Sequence, residues 1–510
     1  MENSFKVLLI GLFTVNLLVG FYLYVNADQA SVKLLQTNSF KIDWNLNSWQ
    51  RSIQWYDYLR KGKFDSDHQG IIRDPEYCEK VAKFRQAYPL EIGQDGLPKH
   101  KVFFSDYKKP NLVKSVMRSM GKLALESHVV GSDEYNTPLE YLDPSILVFY
   151  HKSTEWHYKH RIGEEFLCEN QRYNHIPGNH HMIYKDEAAR SARVYGKYYF
   201  DREHCFDPWK FMPRTYDLSN KEECREILGI LKSDTEPEKV KWIMKVARGL
   251  HNAEGVSVLD QNNTQKLLTK YDYGNKCGLV ESKSIVQAYI SDPLLINGKK
   301  FDFRVYLMAA STDPLAVLYH EGFLRVSMAP YSQDSKEQSA HITNTALTKD
   351  YLKNHNATNS EYQEAMTEQM WTFDKFQSYM QAQGLVGPYW IQNYVKPAMK
   401  KSILHLILMN YHKWLQHPGV WELFGVDFLF DKNLHLWFLE VNRSPAMQAT
   451  TEEKGRIQSE MVQDELNIQF ALMNQLDITP FVESSGFEWV YDGRKQGPDK
   501  YMGVLESECL

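Results

Sequence analysis

The chemically densest part of this chain lies near residue 430. Residues 425–430 and 434–441 are two apolar runs joined by Asp431-Lys432-Asn433, a pattern that predicts a β-hairpin. Asp427 lies in the first run, and Glu440 and Asn442 lie in the second or at its end. Side chains alternate along a strand, so Glu440 and Asn442 share a face, and the turn brings Asp427 within a residue or two of Glu440. Two carboxylates and a carboxamide oxygen are hard ligands, suited to Mg2+ with water and nucleotide phosphates. The plainer alternative is an exposed strand edge with ordinary charges. Phe428, Leu429, Phe430, Leu436, Trp437, Phe438 and Leu439 argue against it, because they bury the neighbourhood and buried carboxylates are costly without a cation.

Lys245 ends the run 241–246 and precedes a loop that holds Gly249 and Gly255. A strand, a lysine and a glycine-bearing loop can cradle a phosphate, and they equally describe an edge lysine before a loop. In Lys300-Phe301-Asp302-Phe303-Arg304, charged and aromatic residues alternate with period two. Lys300, Asp302 and Arg304 therefore share one face, either as a surface salt-bridge ladder or as a charged wall beside the apolar run 305–310. Arg325 follows Glu321-Gly322-Phe323-Leu324 in a similar position, and His341-Ile342-Thr343-Asn344 reads as a polar loop. His151, His157, His160, His175, His180 and His181 come without an HExxH motif or paired cysteines, so they read as surface or hydrogen-bonding groups rather than zinc ligands. No G-x-x-x-x-G-K-[ST], no G-x-G-x-x-G after a strand and no G-x-S-x-G occurs. The P-loop, dinucleotide-binding and serine-hydrolase classes therefore have no support.

These groups need strands and helices to hold them. Strands are predicted over 241–246, 284–290 and 301–310, with a further pair at 314–319 and 322–326. Helical patterning covers 361–381 and 397–416, the second with Pro397 at its start and His417-Pro418-Gly419 as its stop. Strands mixed with long helices make the class α+β. Residues 28–165 are polar and rich in Tyr, Trp and Lys, and read as a stem and a small amino-terminal region.

The chain has 510 residues and a net charge of −5, with 43% hydrophobic and 24% charged residues. These values exclude general disorder, a multi-span membrane protein and a basic nucleic-acid coat. Residues 451–510 hold 12 acidic and 5 basic side chains, net −7, which leaves +2 for the first 450. That end reads as a solvated closing helix and tail. Six cysteines are too few for a disulfide scaffold and favour no compartment strongly. Residues 7–25 are 19 residues without a charge, about 28 Å as a helix. The run exceeds the core of a usual signal peptide, which favours an uncleaved signal anchor, while Val25-Asn26-Ala27 suits a cleaved one. A core helix fits least, because polar periodicity is missing. Lys6 before the run and Lys33 and Lys41 after it leave the orientation open.

Several blocks, taken in order, resemble the tubulin tyrosine ligase and tubulin tyrosine ligase-like family over about residues 172–450. They include Asn174-His175-Ile176-Pro177-Gly178, Lys185-Asp186, Pro213-Arg214-Thr215-Tyr216 and Trp242-Ile243-Met244-Lys245. The most specific are K-F-D-F-R at 300–304, E-G-F-L-R at 321–325, H-I-T-N at 341–344, G-V-D-F-L at 425–429 and L-E-V-N-R-S-P at 439–445. The resemblance implies an ATP-grasp catalytic domain over 170–450, with ATP between two α+β lobes. It implies that Lys185 and Lys245 contact phosphates, and that Gln287, Ala288, Tyr289 and Ile290 form the hinge that holds adenine. Lys300 and Asp302 would contact the nucleotide, and Thr343 and Asn344 would lie near the triphosphate. Arg304 and Arg325 would stand near the reacting phosphate and the acceptor, and Asp427, Glu440 and Asn442 would hold Mg2+.

The implied reaction joins a free amino acid to a protein carboxylate through an acyl phosphate, as in glutamylation, glycylation or tyrosination of tubulin tails. The expected molecule is a monomer with no nucleic-acid partner, held at a membrane by residues 7–25 on an open side. Cytoplasm or cytoskeleton follows if tubulin is the substrate. The chain departs from the family at Val246, where proline is usual, and at Asn252 or Ala253, where a further glycine is common. A non-catalytic membrane-anchored nucleotide-binding module and a ligase for a non-tubulin acceptor are the alternatives.

Overall fold

The computed structural model describes residues 171–199, 207–233, 240–248, 256–279, 284–333 and 358–505 continuously, with short pieces between 79 and 151 and single positions at 340, 343 and 352. The apolar run 7–25 and Asn344 lie outside the described residues. Among the described residues, no helix is long and apolar enough to cross a membrane.

The first sheet comes largely from the region expected to be a stem. Strand β1 (Lys101–Asp106) leads through helix α1 (Leu112–Ser119) to β2 (Leu123–His128), and β3 (Ile146–His151) and β4 (Arg172–Tyr173) follow. The strands are parallel in the order β2-β1-β3-β4.

The second sheet is antiparallel, in the order β5-β8-β6-β7. Helix α2 (Lys185–Tyr199) precedes it, and β5 (Thr215–Asp217) is followed by helix α3 (Lys221–Lys232). The Asn220 side chain caps α3 by accepting from the amides of Glu222 and Glu223. Cys224, Ile227 and Leu228 fall on one stripe of α3 and pack against Tyr216, Leu218, Trp242 and Val286 of the sheet. Strands β6 (Trp242–Val246) and β7 (Ser257–Val258), helix α4 (Gln261–Leu268) and strand β8 (Ser284–Ala288) complete the layer. Cys224 and Cys277, two of the six cysteines judged too few for a disulfide scaffold, form a disulfide beside this core.

The third sheet has seven strands. After β9 (Leu295–Ile296) come the long β10 (Lys299–Thr312) and β11 (Leu315–Val326). Helix α5 (Asn359–Gln369), strand β12 (Met370–Trp371), helices α6 (Phe373–Ala382) and α7 (Lys396–Asn410), and the hairpin β13 (Glu422–Phe430) and β14 (Leu436–Asn442) follow. Helix α8 (Glu452–Met473) and β15 (Phe487–Asp492) close the chain. The order is β12-β11-β10-β13-β14, with β15 on β11 and β9 on β10.

Three expectations change in detail. The pair 314–319 and 322–326 is one strand with a register shift between its halves. The helix expected over 361–381 is two helices, because Met370 and Trp371 leave the helical path to pair with β11, and Thr372 caps the new start. The helix expected over 397–416 ends at Asn410, and a 3-10 turn carries the chain on.

The faces of β10 decide where chemistry can happen. Phe301 and Phe303 pack on Phe373 and Phe376 of α6 and on Phe430, with ring centroids 5.0–5.6 Å apart. On the opposite face, Tyr306, Met308 and Ala310 are covered by Met461, Val462, Leu466 and Phe470 of α8 and by Val113 and Met117 of α1. Each such large side chain contributes about 1.5–3 kcal/mol on burial. Lys300, Asp302 and Arg304 continue that same face beyond the apolar cluster.

The burial of α8 corrects the expected solvated end. The acidic Glu452 and Glu460 do face water, but Ile457, Met461, Leu466 and Phe470 form a buried stripe. A charge average over 60 residues conceals that periodicity.

Gly322 sits where the register of β10 and β11 shifts, and a Cβ there would lie 2.0 Å from the Arg304 carbonyl oxygen. Gly322→Ala is therefore expected to cost about 2–3 kcal/mol. Gly229, inside α3 with open space around it, should gain about 0.5–1 kcal/mol as alanine. Urea midpoints of the two variants should move in opposite directions.

Candidate active site

The hairpin aims its carboxylates through an irregularity. Asp427 pairs with Glu440 and Gly425 with Asn442, yet Phe428 pairs with Phe438. Leu439 is the extra residue, a β-bulge. Phe428 and Phe438 thus meet at 6.1 Å between ring centroids, while Asp427 and Glu440 stand opposite each other on neighbouring strands. In an unbroken strand, Glu440 would share the face of Phe438.

On its other side Asp427 pairs with Arg304 of β10, and Asp302 of β10 pairs with Arg325 of β11. The side chains follow this lattice. Arg304 donates Nη2 to Asp427 Oδ2 at 2.9 Å and Nε to Oδ1. Arg325 donates Nε to Asp302 Oδ1 at 2.8 Å, also bonds Oδ2, and reaches diagonally to Asp427 Oδ2 at 2.9 Å. Two forked guanidiniums against two carboxylates form a nearly dry, charge-balanced quartet. Burial raises the Asp427 pKa, but Arg304 and Arg325 overrule it and hold the carboxyl below its ordinary value. Burial likewise lowers Arg325, and the two aspartates more than reverse that. Asn442 Nδ2 donates to Asp427 Oδ2 at 3.3 Å.

The lysines arrive from other elements. Lys185, first residue of α2, places Nζ 3.1 Å from Glu440 Oε2. Burial raises Glu440, and Lys185 leads the groups that bring its pKa below the usual value. Lys245 on β6 donates to Gln287 Oε1 at 2.6 Å, and Gln287 Nε2 donates to Thr215 Oγ1 at 2.9 Å, which fixes the carboxamide. Burial lowers Lys245 to about 8, helped by Lys185 and opposed by Glu440. Lys300 is buried, with Nζ 5.1 Å from the Tyr289 ring centroid and 5.9 Å from that of Tyr331. Burial lowers it to about 8 as well, helped by Lys245 and opposed by Asp302. The segment 287–290 is held by its backbone, with Ala288 N donating to Arg214 O and Tyr289 N to Lys241 O, both at 2.8 Å. Tyr289 and Ile290 are half-buried.

Asp302, Arg304, Arg325, Asp427, Glu440 and Asn442 thus lie on one patch of the seven-stranded sheet, and Lys185 reaches it at Glu440. Lys245 and Lys300 are close enough to act on each other's charge. Thr343 is half-buried, and its predicted companion Asn344 lies outside the described residues. Among the described residues, no three or more His, Cys, Asp or Glu gather as a metal site. The predicted set has two carboxylates, both held below their ordinary pKa, plus an amide. That donor set fits a Mg2+ that keeps several waters, once the Asn442 amide turns its oxygen inward.

Sequence reasoning missed the braces behind these groups. Arg248, just past β6, donates Nε to Asp186 Oδ2 at 2.8 Å and Nη2 to Glu187 Oε1 at 2.9 Å. It ties the end of the Lys245 strand to the first turn of the Lys185 helix. The acidic pair after Lys185 was the available signal. Buried Glu422 accepts from Ile176 N at 3.0 Å and from Asn179, and His175 Nδ1 lies 3.0 Å from its other oxygen. The N-H-I-P-G block is thereby anchored to β13. Gly178 has φ +89, and a Cβ there would lie 2.1 Å from Lys413 O.

Residues 164–478 match a family model described as the Tubulin-tyrosine ligase family, more than half of the chain. The chain is 30% identical over 267 residues to tubulin glycylase 3A of Drosophila melanogaster, covering 52% of this chain and 25% of that protein. It is 28% identical over 264 residues to tubulin monoglycylase TTLL3 of Danio rerio, covering 52% and 32%. It is 28% identical over 337 residues to tubulin monoglutamylase TTLL4 of Mus musculus, covering 63% and 25%. The matched part spans between 25% and 32% of the length of these relatives.

The two depressed lysines of the site give a direct expectation. Each carries charge below its folded pKa and loses it as pH rises through about 8. With 13C-labelled lysine, three Cε resonances should titrate near that pH, because burial also lowers Lys413 to about 8; one should be lost in Lys245→Arg, another in Lys300→Arg, and the third should remain in both. Ordinary exposed lysines titrate near 10.4, so two resonances there instead would contradict the burial described.

Proposed function

The chain belongs to the tubulin-tyrosine ligase family, and we propose that it is an ATP- and Mg2+-dependent ligase that joins a free amino acid to a protein carboxylate. The observation that carries this reading is the meeting of Lys185 with Glu440 beside the Arg304–Asp427–Arg325 cluster. Cations from two sheets and a helix there surround carboxylates able to hold a metal. In this reading the fold is an ATP-grasp, with the nucleotide between the antiparallel four-stranded sheet and the seven-stranded sheet.

The chemistry must bring an anionic carboxylate against an anionic triphosphate. Lys185 and Lys245 neutralise phosphate oxygens, and the segment 287–290 with Lys300 and Asp302 seats the base and sugar end. Thr343 and Asn344 add polar contacts near the triphosphate. Mg2+, held by Asp427, Glu440 and Asn442, supplies Lewis-acid neutralisation of phosphate charge. An acceptor carboxylate oxygen attacks the γ-phosphorus and ADP departs, leaving an acyl phosphate. The neutral amine of the amino acid then attacks the acyl carbon, phosphate leaves, and the nitrogen gives up a proton. Arg304 and Arg325 stabilise the negative charge that builds on the acyl and phosphoryl oxygens. Both are oriented by carboxylates before substrate arrives, so they pay little reorganisation in the reaction.

The names of the relatives make glycine and glutamate the leading donor amino acids, ahead of tyrosine, and tubulin tails the first acceptor to try. The test incubates the full chain with Mg2+-ATP, labelled glycine, glutamate or tyrosine, and a panel of acidic proteins including tubulin, with mass spectrometry of the product. ATP-dependent incorporation is expected, reduced at least about 100-fold in Glu440→Gln. Nucleotide binding with no incorporation into any acceptor would favour a non-catalytic module. Equal incorporation by Glu440→Gln and the parent chain would remove the metal-site reading.

A further inference from the structure

The sheet that carries Lys245 and Gln287 is closed by a covalent bond. Cys224 lies in the first turn of α3 and Cys277 in the loop before β8, with Cα atoms 5.5 Å apart, inside the range a disulfide requires. Cys224 is fully buried and Cys277 half-buried, against Tyr216, Leu218, Trp242 and Val286. The loop is placed for this bond by its backbone. Gly278, at φ +82, donates N–H to Leu218 O at 3.1 Å, and a Cβ on it would lie 2.8 Å from Lys221 Cβ. Only glycine lets the loop lie this close to the start of α3. The residues enclosed by the bond, 53 in sequence separation, include β6 with Lys245, β7 and α4. A bond seated in the core of a substrate-binding layer is part of the fold rather than a transient surface link. Such bonds persist where the compartment is oxidising and are rare where thiol reductants are abundant. The uncharged run 7–25 supplies a means of reaching such a compartment.

We propose that the catalytic region folds on the luminal or extracellular side of a secretory membrane, oxidised at Cys224–Cys277, and that its acceptor is a protein carboxylate of that side in place of the tubulin tails named above. The acceptor half of this statement rests on the ligase reading, and the compartment half does not. Bond formation balances by thiol–disulfide exchange. The two thiols release two protons and two electrons, and an oxidised dithiol carrier protein takes them up and leaves as the dithiol.

The test expresses the full chain in a eukaryotic cell, quenches with acid and blocks free thiols with N-ethylmaleimide. Reduction and labelling with a polyethylene-glycol maleimide follow, and intact vesicles are treated separately with protease. The unreduced protein should yield the Cys224–Cys277 cross-linked peptide in a digest. Its label count after reduction should exceed that of the Cys224→Ser/Cys277→Ser variant by two, and the region should resist protease until detergent is added. Blocking of either cysteine before reduction, or digestion without detergent, would overturn the proposal. The peptide is read from the parent chain, so misfolding of the variant does not affect it. Neither readout depends on ligation, so a failed incorporation assay and a failed compartment assignment remain separate results.

Discussion

Everything in the candidate site depends on keeping two arginines and two aspartates together out of water. Arg304, Arg325, Asp302 and Asp427 share bonds across three adjacent strands. Any one of them left alone would carry a large desolvation cost. Their mutual pairing is set by strand register, so the sheet cannot slip without breaking it. Gly322 and the bulge at Leu439 are where the register is adjusted to make the pairing possible. The site is therefore a property of the whole sheet rather than of four residues.

The lysines follow a different logic. They are half-buried or buried and are compensated only in part, Lys185 and Lys245 by Glu440 and Lys300 by Asp302 and two aromatic rings. A quartet with its charge already balanced sits next to lysines in need of anions. In the proposed reaction the first is already oriented when substrate arrives, and the second supplies positive charge for the anion. The Arg248 brace to Asp186 and Glu187 keeps the two like-charged lysines from separating.

Much of this was legible in the residues alone. Period-two alternation at 300–304 correctly put three charges on one face, and the hairpin near 431 correctly brought Asp427 toward Glu440. The α+β class followed from strands mixed with long helices, and the family from motif order. What stayed hidden depends on pairing between distant segments. Leu439 is one apolar residue among many, and nothing local marks it as the bulge. Arg248 meets Asp186 across 62 positions, and Cys224 meets Cys277 across 53, so neither contact leaves a local pattern. The end of the chain was misread for another reason. Net charge says nothing of where along α8 the apolar residues recur, and the buried stripe even includes Lys454 and Glu465.

That helix has a consequence for how such a gene can vary. Every motif of the site lies before residue 451, yet the apolar half of the β10 face is roofed by α8, and β15 extends the sheet beyond β11. A transcript spliced to end just after the last motif would encode all the chemistry and would strip the α8 part of the cover from Tyr306, Met308 and Ala310. Such a product would be cleared or would aggregate, rather than act as a shorter enzyme. A motif count on a truncated reading frame is therefore a poor guide to whether it encodes a working protein.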